Sequence, residues 1–417
     1  MGGSAGERVK RRRVFYVPGY DPFHPRRYRE LYRKEAAAQA AVSGYRLSLS
    51  PAGQGARYGW RVTASMEGAR VVSDIEVLVW SDIVRASMSN GIFATYWQLV
   101  KTVWVYVGSG AIFRLIRLRK GPAIAALYPI VMLIGQLALA AGVLLALRFV
   151  VSAGFGMAGG GALAVPFDGL SHAAAGVAGV IGAALSLAWF RSKDKWFYAY
   201  YLMHDYAFTA QAQGAYPPVL TARLAEFSDR IAVALNEDWD EVLVVGHSSG
   251  AHFAVSALAD LIRSGAVAVD GRLAFLSLGH VVPMASFLPR AQRLRADLAY
   301  LSARSELSWV DVTAPGDGCA FALCDPVSVT GVAPQGKRWP LVLSAAFTQT
   351  LSPERWRGLR WRFFRLHFQY LCAFDRPGDY DYFLITAGPR SLAERFSGRA
   401  PSRNRIPTVV NRYRDIA

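Results

Sequence analysis

The sequence predicts an α/β fold in which a mostly parallel sheet, flanked by helices, is interrupted by a two-helix transmembrane hairpin. Three observations carry this. Short β-branched runs alternate with segments of helical composition, the arrangement expected of a largely parallel sheet. Residues 241–255, EVLVVGHSSGAHFAV, pass from an apolar strand through a glycine-flanked turn into an apolar helix. Residues 122–147 contain no charged side chain, and as a helix they are long enough to cross a hydrocarbon core of about 30 Å.

Residues 13–18, RVFYVP, read as a strand closed by the Pro18-Gly19 turn. Residues 25–43 have helical composition, and residues 45–50 and 58–64 alternate apolar and polar side chains as half-buried strands do. Residues 77–80 form another short strand candidate. Residues 83–118 read as helices leading to the membrane, with Trp97, Trp104 and Tyr106 as candidates for its interface. The first span, near 122–147, and a second, near 171–190, are joined by a Gly-rich connection containing Pro166 and Asp168. The Gly and Ala content of the second span suits close packing against the first. Beyond it, residues 196–212 and 218–236 read as helices. Strands follow at 242–245, 273–278 and 307–312, with a helix from about Ala251 to Arg263 after the first. Residues 359–374 suit a helix or extended segment, residues 382–386 are short and apolar, and residues 391–417 form a basic, peripheral tail.

The pentapeptide Gly246-His247-Ser248-Ser249-Gly250 has the form G-x-S-x-G. Between a buried strand and a helix, such a turn pushes the serine hydroxyl out above the sheet, and its glycines let strand and helix approach closely. It resembles the nucleophile elbow of the serine α/β-hydrolase superfamily, and the downstream spacing is similar to the class 3 lipase branch. The resemblance covers about the first 80 residues and those after about 195, and leaves out the middle. It implies Ser248 as nucleophile, followed in chain order by an acid and then a histidine.

That order selects among the seven histidines. His280 comes too early to leave room for an acid strand, so His367, in FFRLHFQY, is the expected base. The acid belongs just after a strand that follows the elbow. Asp317, in a Pro-Gly-Asp-Gly turn, is the first choice, and Asp325 is the alternative, since Cys-Asp-Pro-Val resembles a motif after the acid strand of class 3 lipases. Asp311 falls inside the strand and reads as structural. The oxyanion hole would take the Ser249 amide and one from Gly19 or Tyr20. The His-Gly pair of many relatives is absent here, so the choice between those two stays open. His204-Asp205 neighbours diverge on a helix, and His247 and His252 lack metal-ligand spacing. No metal and no cofactor are expected.

The net charge of +17 comes without any nucleic-acid-binding signature, so nucleic acid is not an expected partner. The bilayer is, with anionic headgroups as counterions. Arg114, Arg117, Arg119 and Lys120 precede the first span, Arg191, Lys193 and Lys195 follow the second, and only Arg148 lies at the far end. The positive-inside rule then places a multi-pass protein in the inner (cytoplasmic) membrane, catalytic domain on the cytoplasmic side. The basic stretch 7–13 runs into VFYVPGYDP rather than an apolar segment, so no signal peptide is expected there. Cys319, Cys324 and Cys372 are too few and scattered for a disulfide framework or a zinc site.

The chain thus divides into residues 1–118 (first part of the hydrolase domain with linker helices), 119–192 (hairpin), 193–390 (second part, with the elbow) and 391–417 (tail). The activity that the resemblance implies is cleavage of carboxylic esters, with lipid acyl esters as the expected substrates. An acyltransferase or thioesterase would use the same residues. The reading from another class is a hydrolase-fold membrane scaffold or assembly protein that no longer catalyses. A transporter is disfavoured by spans without ionisable residues.

Overall fold

The computed structural model describes residues 8–52, 58–88, 91–158 and 168–417. The Gly-rich connection around Pro166 lies outside them. Two compact units divide the chain: residues 1–86, 105–123 and 212–417 form one, and residues 87–104 and 124–211 the other.

The first unit is built on eight strands: β1 (Arg11–Val17), β2 (Arg46–Pro51), β3 (Gly59–Met66), β4 (Ala69–Val77), β5 (Glu241–His247), β6 (Leu273–Leu278), β7 (Leu307–Thr313) and β8 (Leu341–Ser344). They lie in the order β2-β3-β4-β1-β5-β6-β7-β8. β4, β1, β5, β6, β7 and β8 pair in parallel, whereas β2 and β3 form an antiparallel margin. β5, β6 and β7 are buried along their whole length, as strands covered on both faces must be. Val14, Tyr16, Leu243, Val245, Leu276 and Val312 join one buried cluster with Tyr28 and Tyr32 of the helix Arg26–Ser43 and with Tyr370, Phe374 and Phe383. Phe275 and Trp309, one residue out of phase with Leu276 and Val310, stack at 5.2 Å, the period-2 alternation of a pleated sheet.

Several expectations are corrected. The segment at 77–80 contributes only Val77 to a strand; the strand is Ala69–Val77. Its Asp74 and Glu76 disguise it, but Arg61 chelates Asp74 at 2.6 and 2.7 Å, and Glu76 pairs with Arg13 and Arg230. β8 is only four residues long, too short for a strand-length alternation to show in the sequence. Tyr106 is buried, its hydroxyl donating to the Met284 carbonyl at 3.0 Å, so it packs in the core, while Trp97 and Trp104 are exposed. The basic tail is not peripheral. Ile406 bridges to Cys324, the buried Asn411 donates to the Ser286 carbonyl, and Arg295 holds Asp415 at 3.0 Å.

In the second unit, two helices are long and apolar enough to cross a membrane. They are Lys120–Ala158, whose first residues belong to the sheet unit, and Asp168–Ser192. The first runs past Leu147 because a single arginine does not stop a helix. Arg148 therefore lies within it, its stem against the second helix: a Cβ on Gly179 would sit 3.0 Å from Arg148 Cγ and 2.8 Å from the Leu144 carbonyl oxygen. Gly182 meets Val143 and Leu147 in the same way. Small residues at this seam let the two backbones approach, the packing mode of helices in lipid. Tyr200, Met203 and Ala207 of the helix Ala199–Ala210 pack with Leu99 and Leu133.

Candidate active site

The strand order reverses at β1, whose neighbours are β4 on one side and β5 on the other. In open parallel sheets, ligands bind outside the carboxyl ends of the strands at such a switch point. Gly19 follows β1, Ser248 follows β5, Gly279 and His280 follow β6, and Asp317 follows β7. The chain therefore delivers these residues to one end of the sheet.

Ser248 occupies the single-residue turn between β5 and the helix Ser249–Arg263, with φ 58° and ψ −124°. A non-glycine residue there costs on the order of 1–3 kcal/mol and persists only when the surroundings over-determine it. Those surroundings are visible. The Ser248 amide donates to the Leu278 carbonyl at 2.9 Å. A Cβ on Gly250 would meet the Val17 carbonyl oxygen at 2.1 Å, and one on Gly246 would meet Ala251 Cα at 2.7 Å. Gly19 lies against the serine itself, where a Cβ would stand 2.9 Å from Ser248 Cβ and 3.3 Å from Oγ. Ser248 is partly exposed, whereas Ser249 and Tyr20 are buried.

Asp317 and His367, fifty residues apart, meet through His367 Nδ1 and Asp317 Oδ2 at 2.7 Å, both side chains buried. The carboxylate also accepts from the Tyr370 hydroxyl at 3.0 Å and the Cys319 amide at 2.9 Å. Burial alone would raise the Asp317 carboxyl; attraction to His367 and these hydrogen bonds outweigh it and hold it below its usual range. An ionised Asp317 makes Nδ1 the protonated nitrogen and leaves Nε2 with its lone pair.

Two further residues support this pair: Tyr370, and His247, which from the sequence alone lacked metal-ligand spacing and carried no role. Tyr370 accepts from the Ala314 amide at 3.0 Å while donating to Asp317, and its ring leaves no room for a Cβ on Gly279. His247 bonds through Nε2 to the His367 carbonyl oxygen at 3.0 Å, with the rings 4.8 Å apart. Burial, with repulsion from His367, pushes His247 down to about 3, so it is neutral and donates from Nε2. The residue preceding Ser248 is thereby tied to His367. The spacing of His367 and Tyr370, three residues apart, was the only sequence signal for the tyrosine, and it is a common one.

Asp325 is engaged elsewhere. It caps the helix Pro326–Thr330 through the Val327 and Ser328 amides and pairs with Lys337 at 2.7 Å. Asp311 is buried under the Ser277 hydroxyl at 2.6 Å, 3.6 Å from His280 Nε2. His204 bonds Gln98 at 2.8 Å. Among the described residues, Asp317, Cys319 and His367 offer donor atoms within 4.8 Å of one another, a spacing that suits a metal ion. Asp317 already accepts three hydrogen bonds there, one of them from His367.

Comparison with models of known families, with curated proteins and with solved structures found no match. The features established for the chain are a mixed, mostly parallel α/β sheet and two apolar helices of membrane-spanning length.

Proposed function

We propose that this chain is a membrane-anchored serine hydrolase acting on carboxylic esters, with lipid acyl esters as the substrate class. The observation that carries the reading is the buried Asp317–His367 hydrogen bond at the sheet end that also holds the strained Ser248 turn. A serine hydroxyl needs a general base to attack at neutral pH. In this reading His367 Nε2 takes the Ser248 proton as Oγ bonds to the ester carbonyl carbon, and Asp317 stabilises the imidazolium without taking its proton. The tetrahedral oxyanion rests on the Ser249 amide and one from Gly19 or Tyr20. Collapse breaks the bond to the alcohol, which leaves with the proton from His367. Water, deprotonated by the same histidine, then releases the acid from Ser248.

Two apolar helices in the same chain favour a substrate that resides in the bilayer. The basic flanks of the hairpin favour a cytoplasmic side for the catalytic domain.

The test is labelling of membranes with a fluorophosphonate probe, with and without a chelator, for the wild type, Ser248→Ala and His367→Ala. Chelator-insensitive labelling that is lost in both variants supports the serine mechanism. A folded wild type that does not label excludes it, and chelator-sensitive hydrolysis would turn attention to Asp317, Cys319 and His367 as metal ligands.

A further inference from the structure

We infer that the helix pair Ile92–Gly108 and Ala111–Leu118 lies along the membrane interface, its apolar face in lipid, and is not a third span. The pair is apolar enough to qualify as one broken span, with a bend of 72° between its halves. The sheet forbids that. β1 pairs with β4 before these helices and with β5 after them. Residues 77 and 241 therefore lie on the same side of any membrane, and the number of complete crossings between them is even. Three candidate segments stand in that interval, so two cross at most. The unbroken segments Lys120–Phe155 and Ser171–Ser192 are the better pair, because each alone is long and apolar enough to cross, whereas the bent pair qualifies only when its two halves are joined.

The exposed side chains fit the interfacial placement. Phe93, Trp97, Val100, Trp104 and Val107 follow one another at steps of three and four residues, and all are exposed. That spacing puts five large apolar groups on one helix face. The opposite face buries Thr95, Leu99, Thr102 and Tyr106, which makes the exposed stripe unlike a random surface. Lys101 is the charged residue beside the stripe, its Nζ 5.3 Å from the Trp97 ring centroid. Phe113, Ile116 and Arg117 extend this character into the second helix. Tryptophans and snorkelling basic side chains over an apolar face mark a helix that lies in the headgroup region.

Continuity chooses lipid over a protein partner as the occupant. The second helix ends at Leu118, and the spanning helix begins at Lys120. One residue of connection joins the second helix, with its exposed Phe113 and Ile116, to the start of the spanning helix, so the pair enters the bilayer surface directly. This inference is independent of any chemistry at Ser248.

The experiment uses the full chain in sealed vesicles of phosphatidylcholine and phosphatidylglycerol. Trp97→Phe and Trp104→Phe are expected each to remove a component of tryptophan emission quenched more by lipids brominated high on the acyl chain than by lipids brominated near its end, placing the rings about 5–10 Å deep. Gly91→Cys and Lys120→Cys bracket the pair, and nothing lies within 4 Å of a Cβ at Gly91. Both are expected to react with an impermeant maleimide from one side, the same side as Gly336→Cys in the sheet unit, above the wild-type background. Labelling of the two brackets from opposite sides overturns the inference. So do tryptophans untouched by either lipid, or a stripe whose loss abolishes self-association while leaving quenching unchanged.

Discussion

His247 Nε2 donates to the carbonyl oxygen of His367 at 3.0 Å, joining the last residue of β5 to the short helix that carries the proposed base. The bond fixes backbone, so His367 is placed by this contact as well as by Asp317. His247→Phe keeps a ring in the space but deletes the donor. A buried carbonyl left without its partner costs about 1–3 kcal/mol. The expected result is a lower urea midpoint and slower fluorophosphonate labelling, with KM for a soluble ester nearly unchanged. Full labelling speed in a folded variant would show that the contact does not position the base.

Asp317→Asn leaves the shape intact while removing the charge that sets the His367 tautomer. A fall in kcat of about 10³–10⁴ is expected, with little change in KM, by analogy with loss of the orienting acid in other triads. Steady-state kinetics on a short-chain ester measure both. Asp325→Asn gives the contrast, because it weakens a helix cap and the Lys337 pair. Its expected effect is a stability loss of about 1–3 kcal/mol with unchanged labelling per folded molecule.

Gly19→Ala tests close approach at the serine. The added methyl would stand 2.9 Å from Ser248 Cβ, so labelling is expected to disappear while circular dichroism keeps the wild-type signature and stability falls by about 1–3 kcal/mol, the cost of an overpacked contact. Gly250→Ala aims a methyl at the backbone of β1, 2.1 Å from the Val17 carbonyl oxygen, and is expected not to fold.

Tyr370→Phe removes one donor from the Asp317 carboxylate and the acceptor of the Ala314 amide. A loss of about 1–3 kcal/mol in stability is expected. The Asp317 carboxyl loses part of what holds it down, so the acid limb of the activity profile should move to higher pH. A profile superimposable on that of the wild type would leave Tyr370 with a purely structural role.

Acid lability follows from two buried histidines. Burial, the largest cause for both, pushes His247 and His252 from about 6.5 down to about 3. Below pH 6.5 the unfolded chain takes up protons that the folded chain refuses. Stability is thus complete above that pH and falls as pH drops toward 3, by about 1.4 kcal/mol per pH unit for each histidine. Asp311 acts in the opposite sense: burial raises it to about 6, so its contribution is present at low pH and fades as pH rises through 6. His252→Leu should flatten the dependence of the urea midpoint between pH 6 and 4 relative to wild type.

Elements with unbroken apolar character were legible in the sequence. β5, β6, β7 and both long helices stand where hydrophobic pattern put them, because burial on both faces, or in lipid, leaves little alternative composition. β4 was hidden by Asp74 and Glu76, whose charges are answered by arginines from β3, β1 and the helix Pro218–Leu235. Such pairing across distant segments has no local signature. The meeting of Asp317 with His367 followed from an expected chain order. The support from His247 and Tyr370 is tertiary, and apart from the common three-residue spacing of His367 and Tyr370 nothing local announces it.

The central position of β1 has a consequence for biosynthesis. Its β4 edge is covered early, but its other edge waits for β5, which begins at Glu241. At 5–20 residues per second, the 224 residues from Val17 to Glu241 take roughly 11–45 s to emerge. Through that interval a nascent half-sheet presents an unpaired inner strand, the kind of edge that recruits other chains. During the same interval both long apolar helices leave the ribosome. Delivery to the bilayer therefore precedes closure of the sheet, and a stall in delivery exposes a template for aggregation.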